Sequence, residues 1–232
     1  MKKFKVIYVL LFVVTLVFSG CSKDEETDNS DLKATVSTEA LLNKIPESLG
    51  ENSPETSYEI QSMISNMMIT EGFINSRSSA RVSGRTSRTN GETWTDGQYT
   101  VTYSEDSNAT QYLFSYIVKQ NNTVIYTIDG WVNKNGSAGH WDLSLLYGIS
   151  DDDGLFIIDF DWTKNSSNDY YLDMVIDYGD VTSRLEANIY NNGSGNLSSY
   201  YDGVLEFKST WKADGSGSYT DYSSTPAETY TY

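Results

Sequence analysis

Residues 155–178 read LFIIDFDWTKNSSNDYYLDMVIDY, a stretch that predicts two long β-strands joined by a polar turn. Alternation of apolar and polar residues with a period of two places one set of side chains on each face of a sheet. Residues 164–168 contain Ser and Asn, whose short polar side chains bond to nearby backbone and favour a turn. The alternating apolar positions are Phe156, Ile158, Phe160 and Trp162, then Leu172, Met174 and Ile176.

The pairing of these two strands predicts a cluster of carboxylates on the opposite face. Pairing about residues 164–168 sets Phe160 opposite Leu172 and Asp159 opposite Asp173, with Asp161 two residues along. A slip of one residue would set apolar side chains against polar ones, so we expect the slip to be excluded. Like charges directly opposed are destabilising, so this face should be solvated or should hold a cation or a basic side chain.

Composition points to an acidic β-protein. The 232 residues include 18 Tyr, 17 Gly and 5 Trp but only 3 Pro, which suits many strands joined by glycine turns. The formal charge is −16, and from Glu92 onward 21 acidic side chains stand against 6 basic ones. This charge argues against nucleic acid as a partner. The single cysteine, Cys21, allows no disulfide within the chain.

The N-terminus has the features of a secretory signal. Three lysines precede an apolar run and the small residues Ser19 and Gly20, so residues 1–20 are expected to be a signal peptide. The run is too short to predict a spanning helix. The ending Ser19-Gly20-Cys21 resembles the lipobox of bacterial lipoproteins, although Phe18 stands where Leu is usual. The resemblance implies cleavage before Cys21, acylation of its thiol and amine, and a membrane anchor made of lipid. Ordinary secretion with a chance cysteine is the alternative.

Residues 21–36 are expected to form an acidic tether. The run Asp24-Glu25-Glu26 resembles the signal that sends some Gram-negative lipoproteins to the outer face of the outer membrane. It equally suits a solvated, disordered linker. Display at the cell surface and a periplasmic orientation therefore both remain open.

Residues 37–75 are expected to contain one or two short helices that pack on the sheet. Ser53 and Pro54 are typical of a helix start, and Gly72 is expected to end the helix. The apolar stripe between them predicts core packing, with an adaptable binding face as the alternative. Its members are Ile60, Met63, Ile64, Met67 and Met68. Residues 76–91, rich in Ser, Thr and Arg, are expected to be a linker, either mobile or lying as a basic strap across the acidic sheet.

From Glu92 onward, turn signals recur about every ten residues. Three of them share Asn-Gly-Ser or Asp-Gly-Ser followed closely by glycine, in NKNGSAGHW, YNNGSGNLS and KADGSGSYT. The spacing predicts a mainly β fold over residues 92–222, an antiparallel up-and-down meander forming a barrel or a strongly curved sheet. Residues 223–232 are expected to be a C-terminal tail. The whole pattern resembles a group of uncharacterised Gram-negative outer-membrane lipoproteins, a resemblance that implies no catalytic or binding residues.

Asp159, Asp161 and Asp173 are the candidate metal ligands. Three carboxylates on adjacent strands could bind Ca²⁺, or two could act as a glycosidase acid and base. A solvated, salt-bridged face is the alternative, because Arg184 is expected near Asp177 on the same face. No other cofactor is predicted. The acidic triplet 151–153 is interpreted as a hairpin loop, because consecutive acids lack the alternate spacing of a calcium loop.

Aromatic side chains are the candidate ligand contacts. Trp131, Trp141 and Trp211 could stack on a sugar or line a cavity, while filling of the core is the alternative. Trp131 shares a face with Asp129 and is expected to be exposed, whereas Trp162 is expected in the core. His140 is interpreted as structural. The sequence contains no phosphate loop, nucleophile elbow, paired-cysteine metal site or HExxH motif.

These features predict a lipid-anchored envelope protein and three classes of activity. The first is a non-enzymatic module that binds a small apolar molecule or a glycan. The second is a structural or accessory partner of another envelope protein. The third is a hydrolase that uses the aspartates, which requires at least one buried carboxyl with a raised pKa.

Overall fold

The computed structural model describes residues 38–82, 92–146 and 155–232. The signal peptide, Cys21, the acidic tether and the acidic triplet 151–153 lie outside the described residues.

Three helices precede the sheet: α1 spans Thr38–Leu42, α2 spans Glu47–Asn52 and α3 spans Pro54–Val82. The 29-residue α3 corrects the expectation of short helices, since it continues past Gly72 into the segment expected to be a linker. One glycine costs a helix about 1 kcal/mol relative to alanine, which does not by itself end it. None of the described helices combines the length and apolarity needed to cross a bilayer.

The sheet consists of twelve described strands, and each pairs antiparallel with the next along the chain. The predicted meander is therefore confirmed. The strands are β1 Glu92–Asp96, β2 Tyr99–Ser107, β3 Gln111–Gln120, β4 Thr123–Asn133, β5 Ala138–Leu146, β6 Leu155–Lys164, β7 Tyr170–Asp177, β8 Thr182–Ile189, β9 Gly195–Tyr201, β10 Val204–Trp211, β11 Gly217–Asp221 and β12 Glu228–Thr231.

The two edges of the sheet differ from the expectation. The segment expected to be a tail contains β12, which pairs with β11 from Asp221↔Glu228 to Ser218↔Thr231. Among the described strands, β1 pairs only with β2 and β12 only with β11, so the sheet is not closed into a barrel.

The β6–β7 hairpin forms with its faces as predicted but with its register shifted by two residues. Phe160 lies opposite Met174, and Asp161, not Asp159, lies opposite Asp173. A slip of two preserves which side chains share a face, so the alternation could not detect it. The turn sets the register instead. Asn165 Oδ1 accepts the backbone N–H groups of Ser167 and Asp169 at 2.8 and 3.0 Å, which closes the loop one residue later than expected.

The repeated Asn/Asp-Gly-Ser turns share one hydrogen-bonding pattern. The side chain of the first residue accepts both the backbone N–H and the hydroxyl of the Ser, at 3.0–3.1 Å and 2.7 Å. In two of the three repeats, the glycine that follows the motif makes room for an indole. A Cβ on Gly139 would lie 2.5 Å from Trp162, and one on Gly195 would lie 2.3 Å from Trp211. In these two repeats the motif thus supplies both the turn and a glycine on which a tryptophan of the next strand packs.

The helices cover one face of the sheet. Ile60, Met63, Ile64 and Met67 of α3 are fully buried, so the stripe packs in the core as expected, while Met68 is exposed. Asn66 bridges the two layers, because its carbonyl accepts the Trp141 indole N–H at 3.2 Å and its amide lies 3.4 Å from the Met174 sulfur. The alternating apolar residues of β3 to β10 fill the space beneath the helices.

Side chains of the α1–α2 segment bind the turns at one end of the sheet. Lys44 donates to the Asn168 carbonyl and to Asn191 Oδ1, at 3.0 and 2.8 Å. Ser48 donates to the Asp214 carbonyl at 2.7 Å. These contacts span three different turns and therefore fix the helical segment on the sheet.

Candidate functional site

The sheet face opposite the helices carries charged side chains in place of an apolar layer. We call it the acidic face and define it by Asp129, His140, Asp142, Asp159, Asp161, Asp173, Arg184 and Glu186. These residues alternate with core residues along β4 to β8. The same two-residue alternation that turns apolar side chains towards the core therefore turns these polar side chains to the opposite face. The strand register then divides it into two clusters.

The first cluster centres on His140 of β5. Its Nε2 lies 3.0 Å from Asp142 Oδ2, and its Nδ1 lies 3.1 Å from Asp161 Oδ1 and 3.8 Å from Asp159 Oδ1. Asp142 is two residues along the same strand, while His140 pairs with Asp161 and Asp142 with Asp159 across β5 and β6. One imidazole is thus surrounded by three carboxylates.

The surroundings shift the protonation of this cluster. Partial burial, followed by the negative charge of Asp142, raises the pKa of Asp159 to about 6. Burial opposes the charged form of His140, but the hydrogen bond and charge of Asp142, with the charges of Asp161 and Asp159, raise its pKa overall. Shifted pKa values of this kind occur at functional sites and in some ion-pair networks.

The second cluster centres on Arg184 of β8. Its guanidinium makes a bidentate contact with Asp173, with Nε–Oδ1 at 2.9 Å and Nη2–Oδ2 at 2.7 Å. It also lies 2.8 Å from Glu186 Oε1. The Tyr171 hydroxyl lies 3.2 Å from both Asp173 and Glu186. The hydrogen bond to Asp173 raises the pKa of Arg184, although burial opposes it.

This arrangement redistributes the predicted metal ligands. Arg184 pairs with Val175 in the strand register and binds Asp173, whereas the expectation placed it near Asp177. The β5–β6 register sets Asp161 beside His140, and the β7–β8 register brings Asp173 within reach of the arginine. Asp159, Asp161 and Asp173 therefore divide between two clusters instead of forming one all-carboxylate site.

Trp131 is the predicted aromatic that reaches the acidic face. It lies between Leu113 and His140 in the strand register, and its ring stacks on the imidazole with centroids 6.2 Å apart and planes at 26°. It is half-buried, not fully exposed as expected. Beside it an open groove of about 620 Å³ is lined by Ser104, Asp106, Leu113, Asp129, His140 and Asp142 among others.

The other two candidate tryptophans lie in the core. Trp141 is 0% exposed and donates to Asn66, and Trp211 is 3% exposed and donates to the Gly193 carbonyl at 2.9 Å. Neither offers a free ring face to a ligand. Trp162 is also buried, as expected, and its indole nitrogen has no hydrogen-bond partner among the described residues.

His140 and Asp142 are the functional candidates that sequence reasoning missed. The signal was present in His140-Trp141-Asp142, since the alternation that buries Trp141 turns its two neighbours to the same polar face. What the sequence did not show was that β6 would bring Asp159 and Asp161 against this pair. Comparison of the chain with protein-family models, with curated proteins and with solved structures finds no match.

Proposed function

We propose that the chain is a non-enzymatic, lipid-anchored module of the cell envelope that binds a glycan on its acidic face. The observation that carries the proposal is Trp131, which lies beside a groove lined by carboxylates and hydroxyls. A sugar presents an apolar C–H face, which packs on an aromatic ring, and hydroxyls, which donate to carboxylates. Trp131 supplies the first contact, and Asp106, Asp129 and Asp142 supply the second.

The helix-facing side of the sheet favours a glycan over a small apolar molecule. An apolar ligand would need a cavity in the core. At the centre of this layer the side chains of Trp141, Phe160, Met63 and Met67 are fully buried against one another and against their neighbours. The groove on the acidic face instead offers the partly exposed ring of Trp131 and several carboxylate acceptors.

The anchor in this proposal is the acylated Cys21. Several acyl chains hold a protein stably at a membrane, because each buried methylene contributes about 0.8 kcal/mol. Cells fed labelled palmitate should label the wild-type chain and not Cys21→Ser, and the variant should leave the membrane fraction. Labelling of Cys21→Ser at the wild-type level would contradict the anchor.

Accessory contact with another envelope protein is a second candidate. Its basis is a row of aromatic rings at the β10–β12 edge. The Tyr219 and Tyr230 rings stack 4.8 Å apart at 24°, Phe207 lies 5.5 Å from Tyr219, and Tyr230 is 44% exposed. The Met63–Met67 stripe does not serve this role, because it is buried against the sheet.

A hydrolase is the third candidate, favoured by one carboxyl. The raised pKa of Asp159, beside Asp142, suits a general acid. A glycosidase also needs its two carboxyls placed on either side of the scissile bond. A glycan that binds here should therefore be incubated with the protein and examined for release of smaller sugars. If smaller sugars are released, and Asp159→Asn abolishes their release, the chain is an enzyme and not a binding module.

The binding test is a glycan array probed with the full chain purified in detergent. We expect retention of at least one glycan class and a loss of at least tenfold in affinity for Trp131→Ala. Tyr222→Ala removes an exposed aromatic ring elsewhere and should bind as wild type does. Failure to retain any glycan, or unchanged binding by a folded Trp131→Ala protein, would overturn the proposal.

A further inference from the structure

The His140 cluster contains the donor atoms of a metal site in close proximity. One ligand atom from each of His140, Asp142 and Asp159 can be chosen so that all three lie within 4.8 Å of one another. Two come from β5 and one from the paired strand β6, so regular backbone on neighbouring strands positions all three. Such sites are more precisely held than sites on loops.

The donor set selects the class of metal. Zn²⁺ binds imidazole nitrogen and carboxylate oxygen at about 2.0–2.2 Å, in catalytic sites with three protein ligands and one open position. Tetrahedral geometry at those bond lengths separates the ligand atoms by about 3.3 Å. His140 Nε2 and Asp142 Oδ2 are already 3.0 Å apart. Ca²⁺ prefers six to eight oxygens, and the imidazole nitrogen suits Zn²⁺ better.

Asp161 occupies the position of an orienting group. Its Oδ1 lies 3.1 Å from His140 Nδ1, on the opposite side of the ring from Asp142. A metal-binding imidazole usually donates its other N–H to a carboxylate, which fixes the ring and raises its basicity. With Nδ1–H donated to Asp161, Nε2 is left to bind the metal.

Charge balance is the independent observation that points to a cation. On the same face, Asp173 and Glu186 share the positive charge of Arg184. Within the described part of the chain, neither Lys nor Arg forms an ion pair with Asp142, Asp159 or Asp161. Opposed carboxylates without a cation are destabilising. The groove beside Asp142 and His140 gives an ion a path from solvent.

We propose that His140, Asp142 and Asp159 bind one divalent transition-metal ion of the zinc class, with Asp161 as a positioning residue. The site shares Asp142 with the proposed glycan contact, but that contact depends on Trp131, which is not a metal ligand. It also differs from an all-carboxylate calcium site, because it requires the imidazole and excludes Asp173.

The single histidine permits a sharp test. The full, untagged chain is purified in detergent, stripped with EDTA and titrated with Zn²⁺, Mn²⁺ or Ca²⁺ by calorimetry. In parallel, ¹⁵N NMR follows the two imidazole nitrogens, which belong to His140 without further assignment. We expect one Zn²⁺ per chain, binding at least tenfold tighter than Ca²⁺, and a large shift of the Nε2 signal.

Substitutions separate the ligands from their neighbours. His140→Gln, Asp142→Asn and Asp159→Asn should each weaken Zn²⁺ binding at least tenfold, and Asp161→Asn about tenfold with a changed Nδ1 signal. Asp173→Asn should retain wild-type affinity. The proposal is overturned if Zn²⁺ does not bind, if His140→Gln binds it unchanged, or if Asp173→Asn weakens binding as strongly as Asp159→Asn. Glycan binding measured in EDTA by the same proteins tests the proposed function separately.

Discussion

The two clusters on the acidic face both hold neighbouring carboxylates, but they differ in the basic side chain that contacts them. Around Arg184, one permanent cation makes short contacts with Asp173 and Glu186, whose side chains are 18% and 24% exposed. Around His140, three carboxylates that are about half exposed share one imidazole. Arginine stays charged at every relevant pH, whereas histidine titrates near neutrality. The first cluster is therefore built for stability, and the second changes its charge with pH or with a bound cation.

The largest expected effect is the loss of the arginine. Arg184→Met leaves Asp173 and Glu186 close together without a cation, and we expect the free energy of unfolding to fall by about 2 kcal/mol. Urea denaturation at pH 7.5 measures it. Lys208→Met removes an exposed cation from β10, two strands away from Arg184. Its free energy of unfolding should stay within about 0.5 kcal/mol of the wild-type value. Equal effects of the two substitutions would remove the distinction between a structural cation and general surface charge.

Replacement of an Asp by Asn should have opposite effects on stability in the two clusters. Asp173→Asn loses a charge-assisted bidentate contact and should destabilise the protein by about 1 kcal/mol. Asp159→Asn removes repulsion from Asp142 and Asp161 and should stabilise it at pH 8 in EDTA, by up to about 0.5 kcal/mol after solvent screening. Destabilisation by Asp159→Asn under these conditions would show that the His140 cluster is also a structural ion pair.

The smallest effect is the pH dependence of the His140 cluster. The folded-state pKa of Asp159, about 6, lies above its ordinary value of 3.8, so folding takes up a proton as the pH falls through 6. The pKa of His140 is also raised, so its contribution is present below its ordinary value of 6.5 and lost as the pH rises through the folded-state value. Both contributions make this cluster more stable at pH 5 than at pH 8.

The double variant His140→Gln, Asp159→Asn isolates this contribution from the other acids. Between pH 8 and pH 5 in EDTA, wild type should gain stability relative to the double variant, by a few tenths of a kcal/mol because the carboxylates are half exposed. Urea midpoints at the two pH values measure the difference. Parallel pH profiles, or a relative loss of stability in wild type at pH 5, would contradict the assigned shifts.

Local patterns predicted the sheet well because each depends on neighbouring residues. Alternation identified the faces of β6 and β7, and the Asn/Asp-Gly-Ser motifs identified three turns that form as expected. The helix stripe Ile60–Met67 also packs as predicted. The expected helix end at Gly72 was wrong, because a single glycine signal is weak against a continuing helix.

The site was predicted only in part. Asp159 and Asp161 were singled out, but they were grouped with Asp173 instead of with His140 and Asp142. The correct grouping depends on the β5–β6 and β7–β8 registers, each of which the side-chain pattern specifies only to within a slip of two. Trp141 and Trp211 could not be told from exposed aromatics, since an indole suits a core and a sugar platform equally.

The sequence by itself determined that consecutive strands pair and that the carboxylates of β5 to β8 share one face, because both follow from a period of two and from the chemistry of short turns. Only the tertiary structure decided which carboxylate meets which cation. The β5–β6 register pairs Asp161 with His140, and the β7–β8 register brings Arg184 within reach of Asp173. The hydrogen bonds of Asn165 close the β6–β7 turn, whose register sets Asp161 opposite Asp173. A register shift of two residues leaves each side chain on the same face of the sheet but changes the residue that it meets on the neighbouring strand.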